Sequence, residues 1–213
     1  MKYKIGKMFT LAFLIPCFTA LMAVGPLYAA DQANAADAGL KKEDKTELNA
    51  VLSEVKAGKL TNLIPCPGFE ELAKLEYSSF GVWPPAIKPN VTLDDNIACD
   101  GKTSVKFTGI KSGSLNRFFT VKSGEKYLVG LYCLNPGPGV CYIAVSWRSK
   151  GKFMEKTVQN YTFSPEGAEK WKCAAGIVTV PPDADELVYA IGVEGQGPQD
   201  SCNVDNLMLY KLK

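Results

Sequence analysis

KYLVGLYCLNPGPGVCYIAVSWR, running from Lys126 to Arg148, decides the fold. Two apolar runs flank the loop Asn135-Pro136-Gly137-Pro138-Gly139. Proline removes backbone donors and glycine permits positive φ, so neither run continues through that loop. Side chains along a strand alternate between two faces. One face collects Tyr127, Val129, Leu131, Cys133, Cys141, Ile143, Val145 and Trp147, and it must be core. The other collects Leu128, Gly130, Tyr132, Tyr142, Ala144, Ser146 and Arg148, and it is shallow and half polar. As a hairpin, the stretch sets Cys133 opposite Cys141 and Leu134 opposite Val140. It also brings Tyr132 and Tyr142 together on a candidate groove.

Further strands are predicted over Thr103–Gly109, Arg117–Val121, Phe153–Asn160, Trp171–Val180, Glu186–Glu194 and Asn203–Lys211. Turn signals such as Lys111-Ser112-Gly113 and Pro181-Pro182-Asp183 separate them. Short strands without a long helix make an all-β antiparallel β-sandwich over residues 61–213. The Glu186–Glu194 run alternates Leu187, Tyr189, Ile191 and Val193 with Val188, Ala190, Gly192 and Glu194. The second set has the small residues that let a flat ligand approach a sheet. Upstream, residues 31–60 form a linker. Leu48, Val51, Leu52 and Val55 follow helical spacing there and predict one short amphipathic helix over Glu43–Lys56.

Lys2, Lys4 and Lys7 precede an uncharged run from Met8 to Ala30 that ends in small residues. That pattern predicts a secretory signal over residues 1–30, and hence a secreted, periplasmic or cell-surface protein. An uncleaved anchor is its rival. Removal of this segment takes three lysines and no acids, leaving 21 basic residues against 22 acidic ones. Such a balance gives no footing for nucleic acid or an anionic membrane. Six cysteines remain, at 66, 99, 133, 141, 173 and 202. An even number in an exported chain reads as disulfides, and the expected hairpin pairs Cys133 with Cys141. The chain has no histidine. Ser-His-Asp and Cys-His catalysis and His-ligated metals are thereby excluded.

Asn62-Leu63-Ile64-Pro65-Cys66-Pro67-Gly68-Phe69-Glu70 opens the domain, and Asp100-Gly101-Lys102-Thr103-Ser104-Val105 follows a long loop. Trp171-Lys172 then leads to Val178-Thr179-Val180-Pro181, and Asn203-Val204-Asp205-Asn206-Leu207 closes the chain. In that order, over Thr61 to Lys213, these motifs resemble the CenC-type carbohydrate-binding modules and their galactose-binding-like jelly-roll relatives. Cys66 stands where that family usually has Asn, and a Cys133/Cys141 pair is not a family feature. The resemblance implies a structural Ca²⁺ held by Glu70, Asp205 and main-chain carbonyls around Lys102. A hard cation that takes six to eight oxygens suits such a set. It also implies a structural role for Trp171, which is assigned to the core together with Trp147.

The candidate ligand residues are Tyr132, Tyr142, Ser146, Arg148, Glu194 and Trp83. An aromatic face stacks on the C–H face of a sugar, and the polar neighbours bond its hydroxyls. The tyrosines are equally readable as a cross-strand pair, and Trp83, held by Pro84 and Pro85, as a plug at the end of the sandwich. Asp183-Ala184-Asp185-Glu186 reads as a solvated turn rather than the facing carboxylates of a glycosidase. The resulting expectation is a secreted, non-catalytic protein that binds a polysaccharide or oligosaccharide on a shallow aromatic-lined sheet face. An extracellular or envelope interaction protein, using the same fold for protein contacts, is the alternative. A polysaccharide-degrading enzyme is third.

Overall fold

A computed structural model describes residues 42–70, 72, 79–155, 160–165 and 168–213. The expected signal segment and the first part of the linker lie outside these residues, as does part of the strand expected over Phe153–Asn160. Helix α1 spans Lys42–Lys56. Among the described residues eleven strands follow: β1 Gly81–Trp83, β2 Val91–Asp94, β3 Ser104–Thr108, β4 Ser112–Thr120, β5 Lys126–Leu134, β6 Val140–Ser149, β7 Lys152–Phe153, β8 Tyr161–Phe163, β9 Lys172–Thr179, β10 Glu186–Glu194 and β11 Ser201–Lys211. The long loop expected between Glu71 and Cys99 holds β1, a 3-10 turn over Pro85–Asn90 and β2. Lys111-Ser112-Gly113, expected as a turn, instead runs into β4.

The strands form two antiparallel sheets. One has the order β2-β3-β11-β5-β9; the other has β1-β4-β10-β6-β7, with β8 also pairing β6. The all-β sandwich is therefore as expected, but β5 and β6 belong to different sheets. Cys133 pairs in register with Val204 and Lys172, while Cys141 pairs with Val193. Asn135–Gly139 is thus an arch between layers and not a hairpin turn. The face assignment survives this change. Tyr127, Val129, Leu131 and Cys133 look inward from one sheet, and Cys141, Ile143, Val145 and Trp147 from the other, all buried. An arch and a hairpin both turn these apolar faces to the interior.

The core between the sheets is built from these residues with Phe107, Leu115, Leu187, Tyr189, Ile191 and Val204. Tyr189 on β10 is fully buried and donates its hydroxyl to the Gly130 carbonyl on β5, linking the layers at their centre. Trp147 is 1% exposed, as expected. Trp171 is only half-buried, just before β9, and is not part of the core. Asn62 fastens the opening segment to the last strand. Its Nδ2 donates to Leu207 O at 2.7 Å, and its Oδ1 accepts from the amides of Ile64 and Leu209 at 3.1 and 3.2 Å.

The apolar stripe of α1, Leu48, Val51, Leu52 and Val55, is half-buried. Leu52 and Val55 face Tyr132, Leu207, Met208 and Tyr210 across a cleft of about 420 Å³ on the outer side of the five-stranded sheet. An ion pair between Glu47 and Lys126, 3.4 Å apart, joins the helix to β5.

Candidate functional site

The outer face of the six-stranded sheet carries most of the expected ligand residues. Register sets Trp83, Ser114, Gly192 and Tyr142 in one row across β1, β4, β10 and β6. The next row is Gly81, Asn116, Ala190 and Ala144, and Thr162 of β8 extends it. Phe118, Val188 and Ser146 make the third row. Thr120, Glu186, Arg148 and Phe153 make the fourth. Period-2 alternation puts these side chains on one face, because their neighbours Leu115, Ile143, Val145, Leu187 and Ile191 are core.

Each end of this face has exposed aromatic surface. Trp83 is 46% exposed on the edge strand, and Tyr142 lies on the same row. Gly192 lies beneath the Tyr142 ring, and a Cβ at that position would collide with it. The Tyr142 hydroxyl donates to Glu194 Oε1 at 2.8 Å. Burial and that carboxylate push the phenol well above its ordinary range, so it stays a donor. At the other end, Phe118 and Phe153 are 47% and 58% exposed. The Arg148 guanidinium lies 4.7 and 5.6 Å from their ring centres. Its Nη1 donates to Glu186 Oε2 at 2.8 Å, and its Nη2 donates to the Gly151 carbonyl. Tyr142 and Arg148 are six residues apart on β6, or about 20 Å along the strand. Between them the floor is Ser114, Asn116, Ala190, Ala144 and Ser146. Asn116 Nδ2 donates to Ser114 Oγ at 2.9 Å. With Val188 beside Ser146, the result is a shallow trough with aromatic ends and a floor of mixed polar and small apolar side chains.

Five of the six expected ligand residues therefore share one face: Trp83, Tyr142, Ser146, Arg148 and Glu194. Tyr132 does not. It pairs with Asp205 and Cys173 in the other sheet and lies in the cleft beneath α1. A hairpin would set it beside Tyr142, whereas the arch sends the two tyrosines to different sheets. Phe118, Asn116 and Ser114 were missed. Gly113 and Leu115 alternate with Ser114 and Asn116, but Arg117 on the inward face and Phe118 on the outward one break the pattern, and a strand begun at Arg117 leaves Ser114 and Asn116 out. The acid cluster is structural. Asp185 accepts from the Lys150 amide at 2.8 Å, and Glu186 pairs with Arg148.

Glu70 and Asp205 meet on the far side of the sandwich. Glu70 Oε1 accepts from the amides of Lys102 and Thr103, both at 2.8 Å. Asp205 Oδ2 accepts from the amides of Cys99 and Asp100 at 2.8 and 3.2 Å, and Oδ1 from Asn206 N at 2.6 Å. Burial, with a smaller contribution from Glu70, raises Asp205 above the ordinary carboxylate range. The amides of Thr103 and Lys102 lower Glu70. Lys102, expected to lend a carbonyl, is recorded here donating its N–H. Asn206 Oδ1, Asp205 Oδ1 and the Glu70 side chain converge around Gly68, within 3.4–3.8 Å of where its Cβ would stand. Two oxygens, Asn206 Oδ1 and Asp205 Oδ1, therefore meet there beside the Glu70 stem, while the Glu70 carboxylate turns to the loop amides. Among the described residues no three His, Cys, Asp or Glu side chains gather as metal ligands. Asn206 is a neighbour of this pair that sequence reading missed.

No family model matches the chain, and neither does any curated protein. Solved structures do. The enzymatically active domain of tailspike protein 4 of bacteriophage CBA120 matches at a TM-score of 0.54 and 10% identity, over 71% of this chain and 21% of that one. The chain thus spans about a fifth of the tailspike domain's length. A family 16 carbohydrate-binding module matches at 0.51 and 18% identity, over 70% of this chain and 99% of the module. The CBM22-1–GH10 modules of Clostridium thermocellum endo-1,4-β-D-xylanase 10B, complexed with xylohexaose, match at 0.50 and 11% identity, over 70% and 28%. The fold is the jelly roll seen in carbohydrate-binding modules, as the sequence motifs implied.

Proposed function

We propose that this protein is exported, is not a catalyst, and binds an extended polysaccharide or oligosaccharide along the trough of the six-stranded sheet. The observation that carries this reading is the arrangement of aromatic surface, Trp83 and Tyr142 at one end and Phe118 and Phe153 at the other, around a floor that mixes Ser114, Asn116 and Ser146 with Ala144, Ala190 and Val188. Aromatic rings bury the apolar faces of sugar rings, and Asn116, Ser146 and Glu194 offer donors and acceptors to the hydroxyls between them. The Arg148 guanidinium is already stacked and ion-paired, so Phe118 and Phe153 form a stiff wall with it.

Binding is favoured over hydrolysis by geometry. The two carboxylates that the strands bring to this face, Glu186 and Glu194, are eight residues apart on β10, or about 27 Å. A glycosidase pair stands about 5–9.5 Å apart across the scissile bond. A structural Ca²⁺ belongs to the same proposal, with Glu70, Asp205 and Asn206 as the residues that would hold it. It would tie the opening segment to the last strand, on the sheet opposite the trough.

A glycan array probed with the purified chain tests the reading. Binding to a defined set of glycans without release of shortened products is the expected result. Absence of glycan binding by a folded chain that still captures a protein partner would replace this reading with a protein-contact role.

A further inference from the structure

The interior holds three cysteines in mutual contact. Cys133 on β5, Cys141 on β6 and Cys202 on β11 are 0%, 2% and 1% exposed, and each thiol interacts with the other two. All are free in the structure, as are Cys66, Cys99 and Cys173, so the disulfide expected between Cys133 and Cys141 is not formed there. The expected hairpin juxtaposition is also not what brings that pair together. They come from opposite layers, joined by the arch of residues 135–139, and a third thiol stands against both.

Register separates the three. Val204 is the partner of Cys133, and Cys202 precedes it by two residues on the same inward face. Cys133 and Cys202 are thus diagonal neighbours in one sheet, about 7–8 Å apart. Disulfides usually span Cα distances up to about 6.8 Å. Two hydrogen-bonded ladder strands hold the Cys133–Cys202 diagonal at its spacing, whereas the arch that begins two residues after Cys133 and ends two before Cys141 draws β5 and β6 to within 8 Å, Cα to Cα. Cys141 reaches toward both from the other sheet. A buried amide adds to the cluster. Gln196 is 3% exposed, accepts from Ile110 N at 3.0 Å, and adjoins Cys202, while its Nε2 has no hydrogen-bond partner.

We propose that Cys141 is the common partner in an exchangeable disulfide between the two sheets, bonded to Cys133 in one form and to Cys202 in the other, with the third cysteine kept as a thiol. Its formation takes two protons and two electrons from the two thiols. A disulfide donor such as oxidised glutathione accepts them and leaves as two thiols. Exchange needs no further oxidant. The Cys202 thiolate attacks Cys141 Sγ, the Cys202–Cys141 bond forms, the Cys133–Cys141 bond breaks, and Cys133 departs as a thiolate that takes up a proton. Gln196 Nε2 is the donor placed to stabilise the sulfur of Cys202 while it carries charge. Because Cys141 precedes Tyr142, either bridge anchors the strand that forms one end of the trough.

The purified full chain, refolded in mixed oxidised and reduced glutathione and then alkylated and digested without reduction, tests this. The expected map has Cys141 in every core bridge, with Cys133 and Cys202 each found as its partner. The third core cysteine is alkylated only after unfolding. Cys133→Ala should give only Cys141–Cys202, and Cys202→Ala only Cys133–Cys141. A Cys133–Cys202 bridge, a core cysteine bonded to Cys66, Cys99 or Cys173, or three free thiols in the folded protein overturns the proposal. If an alanine variant does not fold, the wild-type map decides, and a single Cys141 partner there overturns the exchange.

Discussion

Tyr142 lies across Gly192, the residue paired with it on the adjacent strand, and only a glycine leaves room for the ring. The ring's hydroxyl then reaches Glu194 two residues further along β10. A cross-strand glycine thus sets the tilt of an aromatic at one end of the trough.

Gly192→Ala should lift that ring and break its bond to Glu194. Glycan affinity is expected to fall about tenfold, equivalent to about 1.4 kcal/mol. Isothermal titration against an array-selected oligosaccharide measures it. Unchanged affinity in a folded variant would remove Tyr142 from the binding surface.

Tyr142→Ala and Trp83→Ala should each weaken glycan binding by about 1–2 kcal/mol, the value of a lost ring contact with its buried area. Tyr132→Ala should leave binding unchanged, because Tyr132 lies on the opposite sheet beneath α1. The contrast separates the observed arch from the hairpin, which would have made the two tyrosines equivalent.

Trp147→Ala should cost about 3–5 kcal/mol of stability, since it empties a wholly buried site. Denaturant unfolding reads this directly. A loss below about 1 kcal/mol would contradict the inward face of β6.

Calcium should raise the melting temperature relative to chelator. At a hundredfold excess over Kd, a ligand bound only by the folded state contributes about 2.7 kcal/mol. Glu70→Gln and Asn206→Ala should each reduce the difference. Identical melting curves with calcium and with chelator would leave the loop amides as the sole partners of Glu70 and Asp205.

Glu125 gives a pH signature. The Lys211 ammonium, the Tyr127 hydroxyl and the Lys122 amide bond its carboxylate and hold it down at about 2, against an ordinary value of 4.5. A depressed acid stabilises the fold above its unfolded value and loses that contribution as pH falls through its folded one. Stability should therefore decline between about pH 4.5 and about pH 2, and Glu125→Gln should flatten that part of the profile in thermal melts.

Much of the fold was legible in the chain because a strand's two faces are a local property. Alternation alone sorted Tyr127, Val129, Leu131 and Cys133 inward, and likewise Cys141, Ile143, Val145 and Trp147. It also put Tyr142, Ser146 and Arg148 outward together, and the helical spacing of Leu48, Val51, Leu52 and Val55 marked the stripe that α1 turns to the sheet. Strand partnership was not legible. A hairpin and an arch between layers bury the same apolar faces and use the same proline- and glycine-rich loop, so periodicity cannot tell them apart. Only the tertiary pairing of β6 with β10, and of β5 with β11 and β9, sends Tyr142 and Tyr132 to opposite sides of the sandwich. The same pairing gathers Phe118 and Phe153 around Arg148 and sets Cys202 against two thiols far from it in the chain. These are contacts between residues distant in sequence, created by which strands lie side by side.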